Sequence, residues 1–88
     1  MENQLLVQIN TAIGVYFKRN PSIKTVPAKD LMPFFIESGI FEKDHKGGLP
    51  IRKILRELDT KHFLHLIPYV RPERKQKNTN WFFDKVKI

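Results

Sequence analysis

Eighty-eight residues allow one small domain and exclude a second, because a chain of this size buries close to the minimum surface for an independent core. Hydrophobic residues at 41% and charged residues at 28%, with seven Phe, two Tyr and one Trp, are a globular composition, and the absence of Cys excludes a disulfide framework, a Cys-based zinc site and a thiol nucleophile. Sixteen Lys and Arg against nine acids leave a formal charge of +7, which favours a polyanionic partner over a neutral one.

At about 100° per residue, Leu5, Leu6, Ile9, Ile13, Tyr16 and Phe17 fall within roughly a third of a turn, which predicts an amphipathic helix over Asn3 to Lys18. Asn20 and Pro21 stop it, and Ser22 to Val26 is a short β-prone piece, enough for one edge strand. Pro27 opens the next element. Leu31, Met32, Phe35 and Ile36 recur at helical spacing between Ala28 and Ser38, with Gly39 as the stop. Pro33 costs about 3 kcal/mol in a helix interior, so either this helix starts late enough to hold Pro33 in its first turn or it kinks. The stretch from Glu42 to Gly48 is a polar loop. Pro50 then suits a first helical turn, and Ile51, Ile54, Leu55 and Leu58 share an arc of about 100° opposite Arg52, Lys53, Arg56 and Glu57. Asp59 to Leu66 either continues this helix or forms a separate short turn before Pro68. Tyr69 to Arg71 and Thr79 to Phe83 are β-prone around a basic connection, Arg74 to Asn78, and read as a hairpin whose first strand, with Pro72, lies at an edge. Alternation sends Phe82 to the face opposite Trp81 and Phe83, so at least one of these rings is expected at the surface.

The charge is unevenly distributed. Arg52 to Lys77 carries eight basic side chains against three acidic ones, whereas the first 51 residues carry six against five. One half reads as scaffold and the other as charged surface. Arg52 and Arg56, four residues apart, are neighbours on a helix face turned from the core, where a guanidinium fork reaches guanine O6 and N7; the plainer reading is a solvated face. Lys and Arg along the hairpin are spaced to replace counterions on phosphates, and they also protect a sheet edge. Asn78, Thr79 and Asn80 can bond phosphate or a base edge, or simply satisfy the turn.

The order helix, short strand, helix, helix, hairpin with a basic tip resembles the winged helix-turn-helix family, an α+β fold with a three-helix bundle, a short strand and a C-terminal β-hairpin wing. The resemblance covers nearly the whole chain and rests on element order, the Pro50 to Leu58 helix and the Tyr69 to Phe83 hairpin. It implies a third helix in the major groove of double-stranded DNA, with Arg52, Lys53 and Arg56 at the matching positions. It also implies a wing on phosphates or an adjacent minor groove, matched by Arg71, Arg74, Lys75 and Lys77, with Asn78 beside them. The chain departs from the pattern between Gly39 and Leu49, where the connection is longer than an ordinary helix-turn-helix turn, so the angle between the two helices does not follow from the resemblance.

Chemistry beyond binding is not expected. Asp59, His62 and His65 stand at three-residue steps, but two His and one carboxylate without a fourth ligand make a weak metal site, and Phe63, Leu64 and Leu66 around them suggest half-buried helix surface. His45 is expected to face solvent, and Lys46, Gly47 and Gly48 lack the spacing of a phosphate-binding loop. Ser22 and Ser38 sit in no nucleophile motif. No cofactor and no catalysis are expected. No apolar run is long enough for a bilayer and the first residues lack a secretion signal, so an intracellular protein, cytoplasmic or nucleoid-associated, is expected. Two other partners stay open. An acidic protein partner could be steered by the charge, with Val7, Thr11 and Val15 forming a second stripe on the first helix for that partner or a homodimer. RNA is the other, supported by the exposed aromatic ring.

Overall fold

The first helix, α1 (Asn3–Arg19), buries Leu6, Ile9, Ile13 and Phe17 of the predicted stripe, with Leu5 and Tyr16 half-buried at its margins. The computed structural model describes residues 3–44 and 47–86. The expectations for His45 and Lys46 lie outside the described residues. Asn20 ends α1 by donating both its backbone N–H (3.0 Å) and its side-chain Nδ2 (2.9 Å) to the Tyr16 carbonyl, and the chain turns into β1 (Thr25–Pro27).

The helix expected from Ala28 to Ser38 is divided in two. Ala28–Leu31 form a 3-10 turn, and α2 runs only over Met32–Glu37. Pro33 is the cause: a proline has no N–H for an α-helical bond, and a start at Met32 puts it in the first turn, where that N–H has no intrahelical acceptor. Gly39, at φ +80°, then closes α2. Its N–H reaches Ile36 O (3.0 Å) and that of Ile40 reaches Phe35 O (2.9 Å), the paired bonds of a Schellman cap.

α3 (Leu49–Thr60) begins after Gly48, whose N–H donates to Asp44 Oδ1 at 2.7 Å. Gly48 has φ +92°, and a Cβ there would lie 2.5 Å from Lys29 Cβ and 2.9 Å from Lys29 Cα. Only glycine lets the start of α3 press against the 3-10 turn this closely. Ile51, Leu55 and Leu58 are buried. α3 stops at Thr60 through a second Schellman pair, His62 N–H to Asp59 O (3.1 Å) and Phe63 N–H to Leu58 O (2.7 Å). His62 takes the left-handed position, φ +62°. Asp59, His62 and His65 therefore share no continuous helix, and Leu64–Leu66 form a separate 3-10 turn. The half-buried helix surface expected here is not found: Leu64 is half-buried, but Phe63 and Leu66 are exposed.

β2 (Val70–Arg74) and β3 (Thr79–Asp84) form the hairpin. Among the described residues the architecture is α+β, with three α-helices and one three-stranded antiparallel sheet of order β1-β3-β2. β3 is central: Thr25 faces Asp84 on one side, and Pro72 of the edge strand β2 faces Trp81 on the other. Trp81 and Phe83 are buried against the helices, Phe83 meeting Phe35 edge-on at 6.2 Å, while Phe82 is half-buried on the outer face. Among the described residues no helix is long and apolar enough to cross a membrane.

Leu55→Ala, at a fully buried position, is expected to cost about 2–5 kcal/mol, read as a lowered midpoint in thermal melting by circular dichroism. An unchanged midpoint would mean that α3 buries a different face. His62→Gly acts in the opposite direction, because an L-residue in the left-handed region costs about 1–2 kcal/mol that glycine avoids. The same melt should rise by several degrees.

Candidate functional site

The polar side of α3 divides into two faces. Arg52, Arg56 and Asp59, at helical spacing, turn toward the hairpin and line a groove of about 670 Å3 together with Lys75, Lys77 and Asn78. Lys53 does not join them. It turns the other way, onto a surface with Phe41, Leu49 and Ile54. The sequence pattern groups Lys53 with the two arginines, and the helical angle of about 100° between adjacent residues separates them. Arg56 is exposed, whereas Arg52 is half-buried with its Nε shut off from solvent, so the pair does not point outward equally as expected.

Glu57 lies four residues from Lys53 in sequence, within reach of it on a helix. Its carboxylate instead accepts a hydrogen bond from Lys61 Nζ at 3.0 Å, and that bond and charge hold it below its ordinary pKa. Glu placed four residues before Lys is the better-oriented helical pair, and Lys53 with Glu57 is the reverse arrangement.

Of the four basic hairpin residues expected to meet phosphate, two are engaged within the fold. Arg74 forks onto Asp59, Nη1 to Oδ2 at 2.9 Å and Nη2 to Oδ1 at 2.8 Å, which ties the end of β2 to α3. The hydrogen bond from Arg74 lowers the Asp59 pKa, burial opposes it, and the charges of Arg74 and His62 assist. Arg71 donates from Nε to Asp84 Oδ2 at 2.6 Å and from Nη2 to Thr25 Oγ1 at 3.2 Å, and its guanidinium carbon lies 4.8 Å from the Phe82 ring centre. Burial alone would raise the Asp84 pKa, but hydrogen bonds from Arg71 and Thr25, with the Arg71 charge, bring it below the ordinary value. Both arginines thus have carboxylates matched to them, and neither is a spare cation.

Lys75, Lys77 and Asn78 remain at the tip, which is closed by Lys75 N–H to Asn78 O at 2.7 Å. Lys75 is 3.6 Å from Glu73, a loose pair, and Arg56 and Lys77 form no ion pair among the described residues. Beyond Arg52 a second groove of about 480 Å3 continues along β3 past Thr79, Asn80 and Trp81 to Lys29 and Phe82. Lys29 is a groove residue that the sequence does not point to. Its Cα and Cβ lie against Gly48 at the start of α3, a contact between residues nineteen positions apart that no local pattern announces.

The Val7, Thr11 and Val15 stripe lines a separate groove of about 430 Å3 between α1 and α2, with Phe34 and Ile40 opposite, and Val7 is 61% exposed. Among the described residues no three His, Asp or Glu side chains are grouped to hold a metal ion, and Asp59 is already engaged by Arg74. Comparison of the chain with protein-family models, with curated proteins and with solved structures gives no match.

A carboxylate with a depressed folded-state pKa adds stability above its unfolded value and loses it as the pH falls through the folded one. The Asp59 and Asp84 pairs should therefore stabilise the fold above about pH 4 and lose that contribution progressively as the pH falls further. In thermal melts across this range, the parent is expected to exceed an Asp59→Asn, Asp84→Asn variant at neutral pH and to converge with it in acid. A constant gap at all pH values would show that the two pairs are not what separates them.

Proposed function

We propose that the protein is a winged-helix module that binds double-stranded DNA and acts by binding alone. The element order and the sheet order β1-β3-β2 are compatible with that fold. One observation carries the reading: Arg56 of α3 and Lys75 and Lys77 of the hairpin open on one groove, whose acid, Asp59, is already matched by Arg74. A helix fits the major groove, about 12 Å wide, and a flanking basic hairpin then meets the backbone. In this assignment Arg56 reads a base edge, Lys75, Lys77 and Asn78 meet phosphate, and Arg71 and Arg74 set the shape of the hairpin.

A second reading, a module for an acidic protein partner or a second copy of the chain, is favoured by the exposed Val7 beside the α1–α2 groove. The two are separated by titrating duplex DNA, single-stranded DNA and RNA of matched length at one salt concentration. Preference for duplex supports the first reading, and binding to none of the three gives the lead to the second.

Two variants refine the first reading. Lys75→Ala with Lys77→Ala should weaken binding to all sequences alike and reduce the slope of log affinity against log salt by about 0.9 for each phosphate that is no longer neutralised. Arg56→Ala should instead cost about 1–3 kcal/mol of discrimination at one base position, measured by selection from random duplexes. A slope that does not move removes the hairpin tip from the interface, and an unaltered selected site removes Arg56 from readout.

A further inference from the structure

Register aligns Pro27 of β1, Phe82 of β3 and Arg71 of β2 in one row across the outer face of the sheet. The helices cover the opposite face, where Trp81 and Phe83 are buried. Phe82 is half-buried on that outer face, and the Arg71 guanidinium carbon lies over its ring at 4.8 Å. The guanidinium is not merely draped there. Asp84 holds Nε and Thr25 holds Nη2, so its orientation is fixed from two sides. The Arg71 side chain nevertheless remains 45% exposed. Phe82 is itself only half-buried, so the pair is open to solvent on the outer face of the sheet.

Such a group is poorly suited to phosphate, because Asp84 already matches its charge. It is well suited to a flat π-system: nucleobases that are free of a duplex stack on arginine planes and aromatic rings, and an arginine already immobilised loses little freedom when one does so. Phe82 also lines the 480 Å3 groove that contains Lys29 and Asn80 and shares Arg52 and Trp81 with the groove of the basic hairpin side. That volume lies within the range of pockets that take small ligands, about 300–1,000 Å3.

From this juxtaposition we infer that the Arg71–Phe82 pair is a stacking platform for an unpaired base of DNA, reached along the groove beside Lys29 and Asn80. This deepens the proposed function and rests on it: the preferred ligand becomes a duplex that continues into a single strand, in place of an uninterrupted one. Arg71 then recognises a base face, not a phosphate.

The test uses fluorescence anisotropy with three labelled ligands: a blunt duplex, the same duplex with a short oligoadenine end, and the same duplex with an abasic end of equal length. The abasic end keeps the added phosphates and lacks the bases. The oligoadenine end should tighten binding about 5- to 150-fold over the abasic one, the range expected for stacking one base. Arg71→Lys, which keeps the charge and loses the plane, should bring the two ends to the same affinity. Phe82→Leu, which keeps an apolar cover on the sheet and removes the ring, should do likewise. Equal binding of oligoadenine and abasic ends by the parent overturns the stacking site and leaves duplex binding standing. So does an adenine advantage that survives both substitutions. A blunt duplex that is not bound overturns the proposed function itself.

Discussion

Trp81 and Phe83 enter the core from β3 while Phe82 leaves it, and this alternation fixes most of what surrounds it. Because β3 is the middle strand, its register sets both neighbours: Val26 lies against Phe83 and Pro72 against Trp81. Of the inward rings, Phe83 anchors the sheet to α2 through Phe35. The same alternation puts Asn80, Phe82 and Asp84 on the other face, where Asp84 takes up Arg71 and Thr25. A slip of one residue would send Trp81 and Phe83 to solvent and part Asp84 from both partners. The polar surface is therefore tied to the packing of two aromatic residues.

Arginine and lysine divide the work on this surface. The forked Arg74–Asp59 contact is partly exposed, and exposed pairs contribute little to stability. Its value is geometric, since two parallel hydrogen bonds fix the relative position of a helix and a strand in a way that one flexible ammonium does not. Lys75 and Lys77 are left at the tip, where the 3.6 Å approach of Lys75 to Glu73 is a loose pair and carries no such geometry. Arg74 thus belongs to the frame of the groove, while Arg56, Lys75 and Lys77 open on it.

Much of this fold was legible in the sequence because its signals are local. The stripes of α1 and α3, the stop at Gly39 and the hairpin around Arg74 to Asn78 each arise from residues a few positions apart, and the structure has all of them. Pro33 marked the short α2, but the periodicity of Leu31 and Met32 also fits a 3-10 turn, so the division after Leu31 was not visible. The site was less legible. Arg74 meets an aspartate fifteen positions earlier, and Arg71 meets one thirteen positions later with a threonine forty-six positions away. Such partners exist only once strand register and helix docking are set, so counting basic residues overstates how many are spare. The Lys61–Glu57 pair was different: both residues lay in plain view, and helix orientation alone favoured Lys61 over Lys53.

The chain's single tryptophan, Trp81, borders both halves of the polar groove and is only 6% exposed. One indole, without a second to obscure it, sits between the hydrophobic interior and the surface where a ligand would lie. Its emission is therefore an intrinsic optical gauge, shifted to longer wavelength when water reaches the ring on unfolding and altered at constant fold when the groove is filled. The molecule carries its own reporter at the boundary between core and groove, and unfolding and any filling of the groove can be followed through one chromophore without attaching a dye.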